Sequence, residues 1–297
     1  MRRRLGIILV ASCAMAACLF ADFSYQQSTK ITGGAMAGMM NIAGAFAKQA
    51  REPNTSTVAV KGNRMVHVSA RQATITDLEK ETITTVHFDQ KTYSVMTFEQ
   101  MKQTMEQASS RMASARGKEA GDGQKPDVNF HIAMKDTGQK KNVAGFDTHE
   151  MIMTLEMEGA DKGGNKGAMT MTSDMWLAPK IAGYDEVRDF HRRMAQKLNW
   201  TPGGGMPMMG RPEMAKGLAE IAKESAKLDG VPVLQVMKMG GGGMPGGDGA
   251  PGDASASLME MTTELSGFSS APVDVSKFEV PADFKQVEPQ SMQRRRR

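Results

Sequence analysis

The thioethers are the side chains of this sequence best placed to do chemistry. Met101, Met105 and Met112 fall on one side of a helical repeat, while Met151, Met153, Met157, Met169 and Met171 recur along segments with the two-residue period of strands. Methionine is unbranched and polarizable, so a surface lined with it adapts to apolar partners of varied shape. Two readings stand side by side. Met101, Met105, Met112, Met153, Leu155, Met171 and Trp176 either line a cavity for an apolar ligand or fill an ordinary, loosely specified core. Thioethers are also soft ligands that select Cu(I). Met206-Pro207-Met208-Met209, and Met237-Lys238-Met239 with Met244, are the segments that would supply them. Both fall on Gly-rich stretches read as flexible, without a nearby histidine, which argues against a built copper site.

Other chemistries find no motif. The histidines His67, His87, His131, His149 and His191 include no pair at the spacing that sets two ligands on one helix face. His67 and His87 read as exposed strand residues, and His149-Glu150 as a strand pair. No serine sits in a G-x-S-x-G turn. Gly203-Gly204-Gly205 and Gly240 to Gly243 resemble phosphate loops only in glycine content, because neither ends in Lys-Ser/Thr. Asp185, Glu186 and Asp189 open a helix, where negative charge meets the positive end of the dipole. The expectation is a non-enzymatic binding protein with no cofactor and no metal.

The ends of the chain bear on location. Arg2 to Arg4 form a positive start, Leu5 to Val10 begin an apolar run, and Leu19-Phe20-Ala21 offers a cleavage site before Asp22. This is the pattern of an export signal over residues 1–21, and it places the protein in the periplasm or outside the cell. Cys13 and Cys18 both lie inside it. A chain cut after Ala21 therefore has no disulfide, thiolate-metal site or cysteine nucleophile. Met15-Ala16-Ala17-Cys18 supplies the alternative, a lipid anchor through Cys18. Setting aside the three arginines of this segment and Arg294 to Arg297 takes the formal charge from +4 to −3. A slightly acidic body argues against a broad nucleic-acid-binding surface.

The elements that must position these groups are mostly strands. A first strand spans 22–32, and a Met-rich, small-residue stretch follows at 35–50. Between Thr55 and Met96, alternating apolar residues are broken by short turns at Lys61-Gly62-Asn63, Glu79-Lys80-Glu81 and Asp89-Gln90, the pattern of an antiparallel meander. Thr97 and Gln100 form a capping box for a helix whose stripe runs Phe98, Met101, Met105, Ala108, Met112 and Ala115. Strands return at 128–135, 139–146, 148–158 and 167–178, then a helix at 184–198 and another opened by Pro212 and closed by Gly230. Strands at 231–239 and 257–268 enclose a Gly/Pro/Asp stretch, 240–253, read like 201–210 as a flexible loop. Residues 288–297 read as a disordered basic tail.

The run from Gly62-Asn63-Arg64-Met65 through Ile75-Thr76-Asp77-Leu78 to Lys91-Thr92-Tyr93-Ser94-Val95-Met96-Thr97-Phe98-Glu99 resembles a bacterial exported family of unknown function. That family belongs to the superfamily of outer-membrane lipoprotein carriers. Lys141-Asn142-Val143-Ala144-Gly145, Ser173-Asp174-Met175-Trp176-Leu177-Ala178 and Phe278-Glu279-Val280-Pro281-Ala282 extend the resemblance over residues 22–287. It implies an α+β fold, an incomplete antiparallel β-barrel wrapped around helices, with an apolar cavity that in the superfamily holds lipid chains. The expected partner is an apolar ligand or lipid bound by a monomer. The alternative is an envelope structural or stress-sensing module that contacts another envelope protein.

Overall fold

The computed structural model describes residues 22–35, 52–104, 106–107, 110, 128–160, 166–198, 230–242 and 257–289. The segments expected to form an export signal, a loop at 201–210 and a helix opened by Pro212, together with Met105, Met112, residues 243–253 and those beyond Pro289, lie outside them.

Twelve strands form one open sheet in the order β12-β6-β5-β4-β3-β2-β1-β11-β10-β9-β8-β7. The strands are β1 (Phe23–Gly33), β2 (Asn54–Lys61), β3 (Arg64–Ser69), β4 (Gln72–Asp77), β5 (Thr82–His87), β6 (Thr92–Thr97), β7 (Val128–Val143), β8 (Phe146–Ala160), β9 (Lys166–Ala178), β10 (Val231–Gly242), β11 (Ser257–Ser269) and β12 (Lys285–Gln286). All pairings are antiparallel except the short one between β12 and β6. The two meanders are thus one sheet, with β1 at the seam between them. The sheet does not close on itself, as an incomplete barrel requires.

The turns explain the meander. The β2–β3 hairpin turns at Gly62, with φ +58°, a conformation glycine adopts without steric cost. At the β4–β5 turn, Asp77 Oδ1 accepts bonds from the amides of Glu79 and Lys80, both at 2.9 Å, an Asx turn that fixes the reversal.

Strands β2 to β4 carry buried residues on both faces, which is why Val58, Ala59 and Val60 run without a polar break. One face carries Phe23, Tyr25, Val58, Val60, Met65 and Leu78, packed with residues of two helices. The first, α1 (98–104), begins at the expected capping box. The Gln100 amide donates to Thr97 Oγ1 at 3.1 Å, the Thr97 amide donates to Gln100 Oε1 at 2.9 Å, and Phe98 is buried. The second, α2 (Tyr184–Lys197), buries Val187 and Phe190. Polar ties fix α2 to the turns: the Arg193 guanidinium donates to the Gly62 carbonyl at 3.1 Å and to Asn63, and Lys197 pairs with Glu81 at 2.7 Å.

The other face of β2 to β5, including Ala59, Val66, Ala73, Ile75 and Val86, is covered by the C-terminal segment through Val273 and Phe278. Asp22 anchors that segment, its carboxylate accepting the Val273 amide at 2.7 Å and the Lys61 ammonium at 2.5 Å. Burial alone would raise the Asp22 pKa, but these two donors outweigh it and hold the carboxyl below its ordinary range. The segment ends as β12, which lies along the β6 edge and protects it.

One boundary corrects the sequence reading. Gly240 to Gly242 are not loop but continue β10, opposite Thr170, Met169 and Ala168. Ladder bonds use only backbone, which glycine supplies. At Gly241 the pairing is close enough that a Cβ would stand 2.8 Å from the Ala168 carbonyl oxygen.

Candidate functional site

Side chains directly opposite each other across a strand pair lie on one face of the sheet, so continuous pairing can be followed row by row. Met134 stands opposite Met153, Met153 opposite Ser173, Ser173 opposite Met237, Met237 opposite Met261, and Met261 opposite Ile31. The adjoining row runs Ile132, Leu155, Met171, Met239 and Met259. Met157 faces Met169 beyond it, and Met151 faces Met175 on the other side. Eleven of the 28 methionines therefore share one face of β7 to β11. Met175 is buried and the other ten are half-buried. Residues between them, among them Thr154, Glu156, Thr172, Lys238 and Glu260, point to the opposite side. Along β1 the methionine face continues through Thr29 and Gln27 to Tyr25 and Phe23, the core beneath α2.

The structure brings together Met153, Leu155 and Met171 of the expected lining. Met101 packs against the core under the helices, and Met105 and Met112 lie outside the described residues. Trp176 does not join the methionines. It stands opposite Glu150 and belongs to the core cluster of Phe23 and Tyr25, 6% exposed, with the Lys141 ammonium 3.6 Å from its ring centre. Sequence reasoning passed over Met134, Met259 and Met261, although Met-Glu-Met at 259–261 carries the same alternation as Met169-Thr-Met171. Met237 and Met239 are paired residues of β10, as the strand expected at 231–239 has them and not as part of a flexible stretch.

The opposite face holds a second cluster. Glu150 is 6% exposed and its Oε2 accepts a 2.5 Å bond from the Thr137 hydroxyl. One rung away stands Asp174, whose Oδ1 has no hydrogen-bond partner among the described residues. Burial, the Glu150 carboxylate and a hydrogen bond with it raise the Asp174 pKa, and Lys141 and Lys238 only partly oppose them. A raised carboxyl means the native state binds the proton better than the unfolded chain does. Ionised Asp174 thus costs stability at neutral pH, and that cost disappears as pH falls through the raised value towards 3.8. Asp174→Asn is expected to raise the urea midpoint at pH 7, with the gain fading in acid. An unchanged or lower midpoint at pH 7 would show that the two carboxyl groups do not repel.

His67 corrects another expectation, because it is, like His87, half-buried rather than exposed. Its Nε2 lies 3.3 Å from Met65 Sδ, and burial, then His191 of α2, lower its pKa. A cleft of about 460 Å³ opens beside α2, lined by Asn63, Leu78, Glu79, Arg193, Gln196 and Lys197. Arg193 and Lys197 are already engaged there in docking the helix. No group of three or more His, Cys, Asp or Glu among the described residues is arranged to hold a metal ion, and none of their helices is long and apolar enough to cross a membrane. Comparison with protein-family models and with curated proteins gives no match for this chain.

Proposed function

We propose that this is an exported, non-enzymatic binding protein that holds an apolar ligand, an acyl chain, against the methionine face of its open sheet. One observation carries the reading: the uninterrupted register that gathers eleven methionines on one face of five adjacent strands. Four strand spacings make that face about 19 Å across, the order of a long acyl chain. Thioether side chains re-pack around a flexible ligand more readily than branched ones do. The resemblance to outer-membrane lipoprotein carriers agrees with it, since their incomplete barrel holds lipid chains. The charged, apolar N-terminus agrees with a periplasmic place of action.

The test is uptake of a fluorescent fatty-acyl probe by the purified chain, paired with native mass spectrometry for co-purifying lipid. Met153→Glu sets a carboxylate in the middle of the face and is expected to weaken probe binding by about tenfold or more. Burying that charge costs more than the 1.4 kcal/mol that a factor of ten represents. Glu156→Gln, on the opposite face, is the control and leaves uptake unchanged. A parent protein that takes up no probe, or a Met153→Glu variant that binds it as well as the parent, overturns the proposal.

A further inference from the structure

The row Met171, Met239 and Met259 has a property that apolar area alone does not use. We infer that these three residues form a binding site for a soft monovalent cation, Cu(I). Met171 on β9 stands opposite Met239 on β10, which stands opposite Met259 on β11. Directly opposed residues place their Cβ atoms about 4.5–5.5 Å apart. A methionine side chain is unbranched, and two freely rotatable torsions set where its sulfur points. Three such arms rooted in one row can therefore turn their sulfur atoms onto a common centre. Met237 and Met261, opposed to each other on β10 and β11, lie two residues along the same strands and offer a fourth sulfur.

The surroundings select the ion. The row contains no carboxylate, imidazole or hydroxyl, only Ile132 and Leu155 besides the methionines. Hard cations such as Mg2+ and Ca2+ require oxygen ligands, and Zn2+ takes nitrogen, thiolate or carboxylate. A thioether set suits Cu(I). On the far side of the row, Gly241 stands opposite Met169 and carries no side chain, so it adds no competing ligand. The three methionines are half-buried, which keeps them within reach from solvent.

A thioether has no proton to lose. Cu(I) binding here needs no deprotonation, unlike binding at a thiol or an imidazole, and its affinity stays constant where a histidine site fails in acid. This site depends on sulfur and not on apolar area, so it stands or falls separately from acyl binding. Leucine tests the sulfur itself, because it preserves apolar volume and removes the ligand atom.

The experiment titrates the full chain with Cu(I), without oxygen, against bicinchoninate as competing chelator. One equivalent of Cu(I) is expected to leave the chelator, with equal affinity at pH 7 and pH 5 once chelator protonation is corrected. Replacing Met171, Met239 and Met259 together by leucine is expected to lower that affinity by about tenfold or more, while the same replacement of Met134, Met151 and Met157, on β7 and β8 outside the site, leaves it at the parent's value. If the triple variant does not fold, Ag(I) added to the unaltered chain is read by the NMR shifts of the methionine methyl groups, and the expected shifts centre on these three residues. No uptake of Cu(I), full affinity in the leucine variant, loss of affinity at pH 5, or Ag(I) shifts centred on other methionines each overturn the inference. An unaltered chain that binds Cu(I) as expected but takes up no acyl probe would instead count against the acyl reading alone.

Discussion

Replacing Phe190 by alanine is expected to cost about 3–5 kcal/mol of stability, the usual price of emptying a phenylalanine site in a packed core. Phe190 is 0% exposed and belongs to the cluster that joins α2 to Phe23, Val58, Val60 and Met65. Its ring fills the space between helix and sheet, and the strand residues facing it are held by ladder bonds on both sides, so the site cannot collapse. Urea denaturation measures the effect as a lower midpoint. Arg192→Ala is the reference on the exposed side of the same helix. It removes only a 2.8 Å ion pair with Asp189 in which both groups are largely solvated, a contact worth at most about 1 kcal/mol. Equal small losses for the two variants would mean that α2 is not part of the folded core.

Gly230→Ala is expected to cost about 3 kcal/mol or more, for a different reason. Gly230 has φ +126° immediately before β10, and a Cβ there would lie 2.4 Å from the Ala178 carbonyl oxygen and 3.2 Å from Leu177 Cβ. Backbone strain of this kind costs about 1–3 kcal/mol by itself. The clash adds to it, because the blocking atom is backbone and cannot rotate away. Gly62→Ala isolates the conformational part. Its φ is +58° with nothing within 4 Å of the added Cβ, so about 1–2 kcal/mol is expected. Thermal or urea unfolding of the two variants should therefore differ clearly. Equal losses would show that the contact between the β10 entry and the end of β9 is looser than described.

The local signals in the sequence were physical and legible. The Thr97-Gln100 box caps α1 with reciprocal bonds, and Gly62 turns the first hairpin. Asp185 lies in the first turn of α2, paired with Lys180 and Arg188. Long-range pairing was not legible. Nothing local to Asp22–Thr32 states that this strand sits between β2 and β11, because register between distant strands is decided by the sum of many weak cross-strand contacts. For the same reason the methionine face was only partly visible. Alternation within β8 and β9 marked Met153, Leu155 and Met171, but only the β9–β10–β11 register places Met239 and Met259 in line with Met171. Trp176 falls outside the methionine rows. It lies one residue past Met175, and in a strand one residue is a change of face.

The position of β1 has a consequence for how the chain reaches this state. One side of β1 pairs with β2, close in sequence, while the other pairs with β11, where the Thr29 and Thr263 hydroxyls bond 234 residues apart. The meander from β2 to β6 can assemble from neighbours as soon as it is free to fold. The seam between β1 and β11 must wait for almost the whole polypeptide, and contacts of such long separation are slow to form. Until β11 arrives, β1 presents an unpaired edge and the methionine-bearing strands present an unfinished apolar surface, both open to wrong partners. The feature that joins the two meanders into one sheet is thus also the interval in which the nascent chain most needs protection.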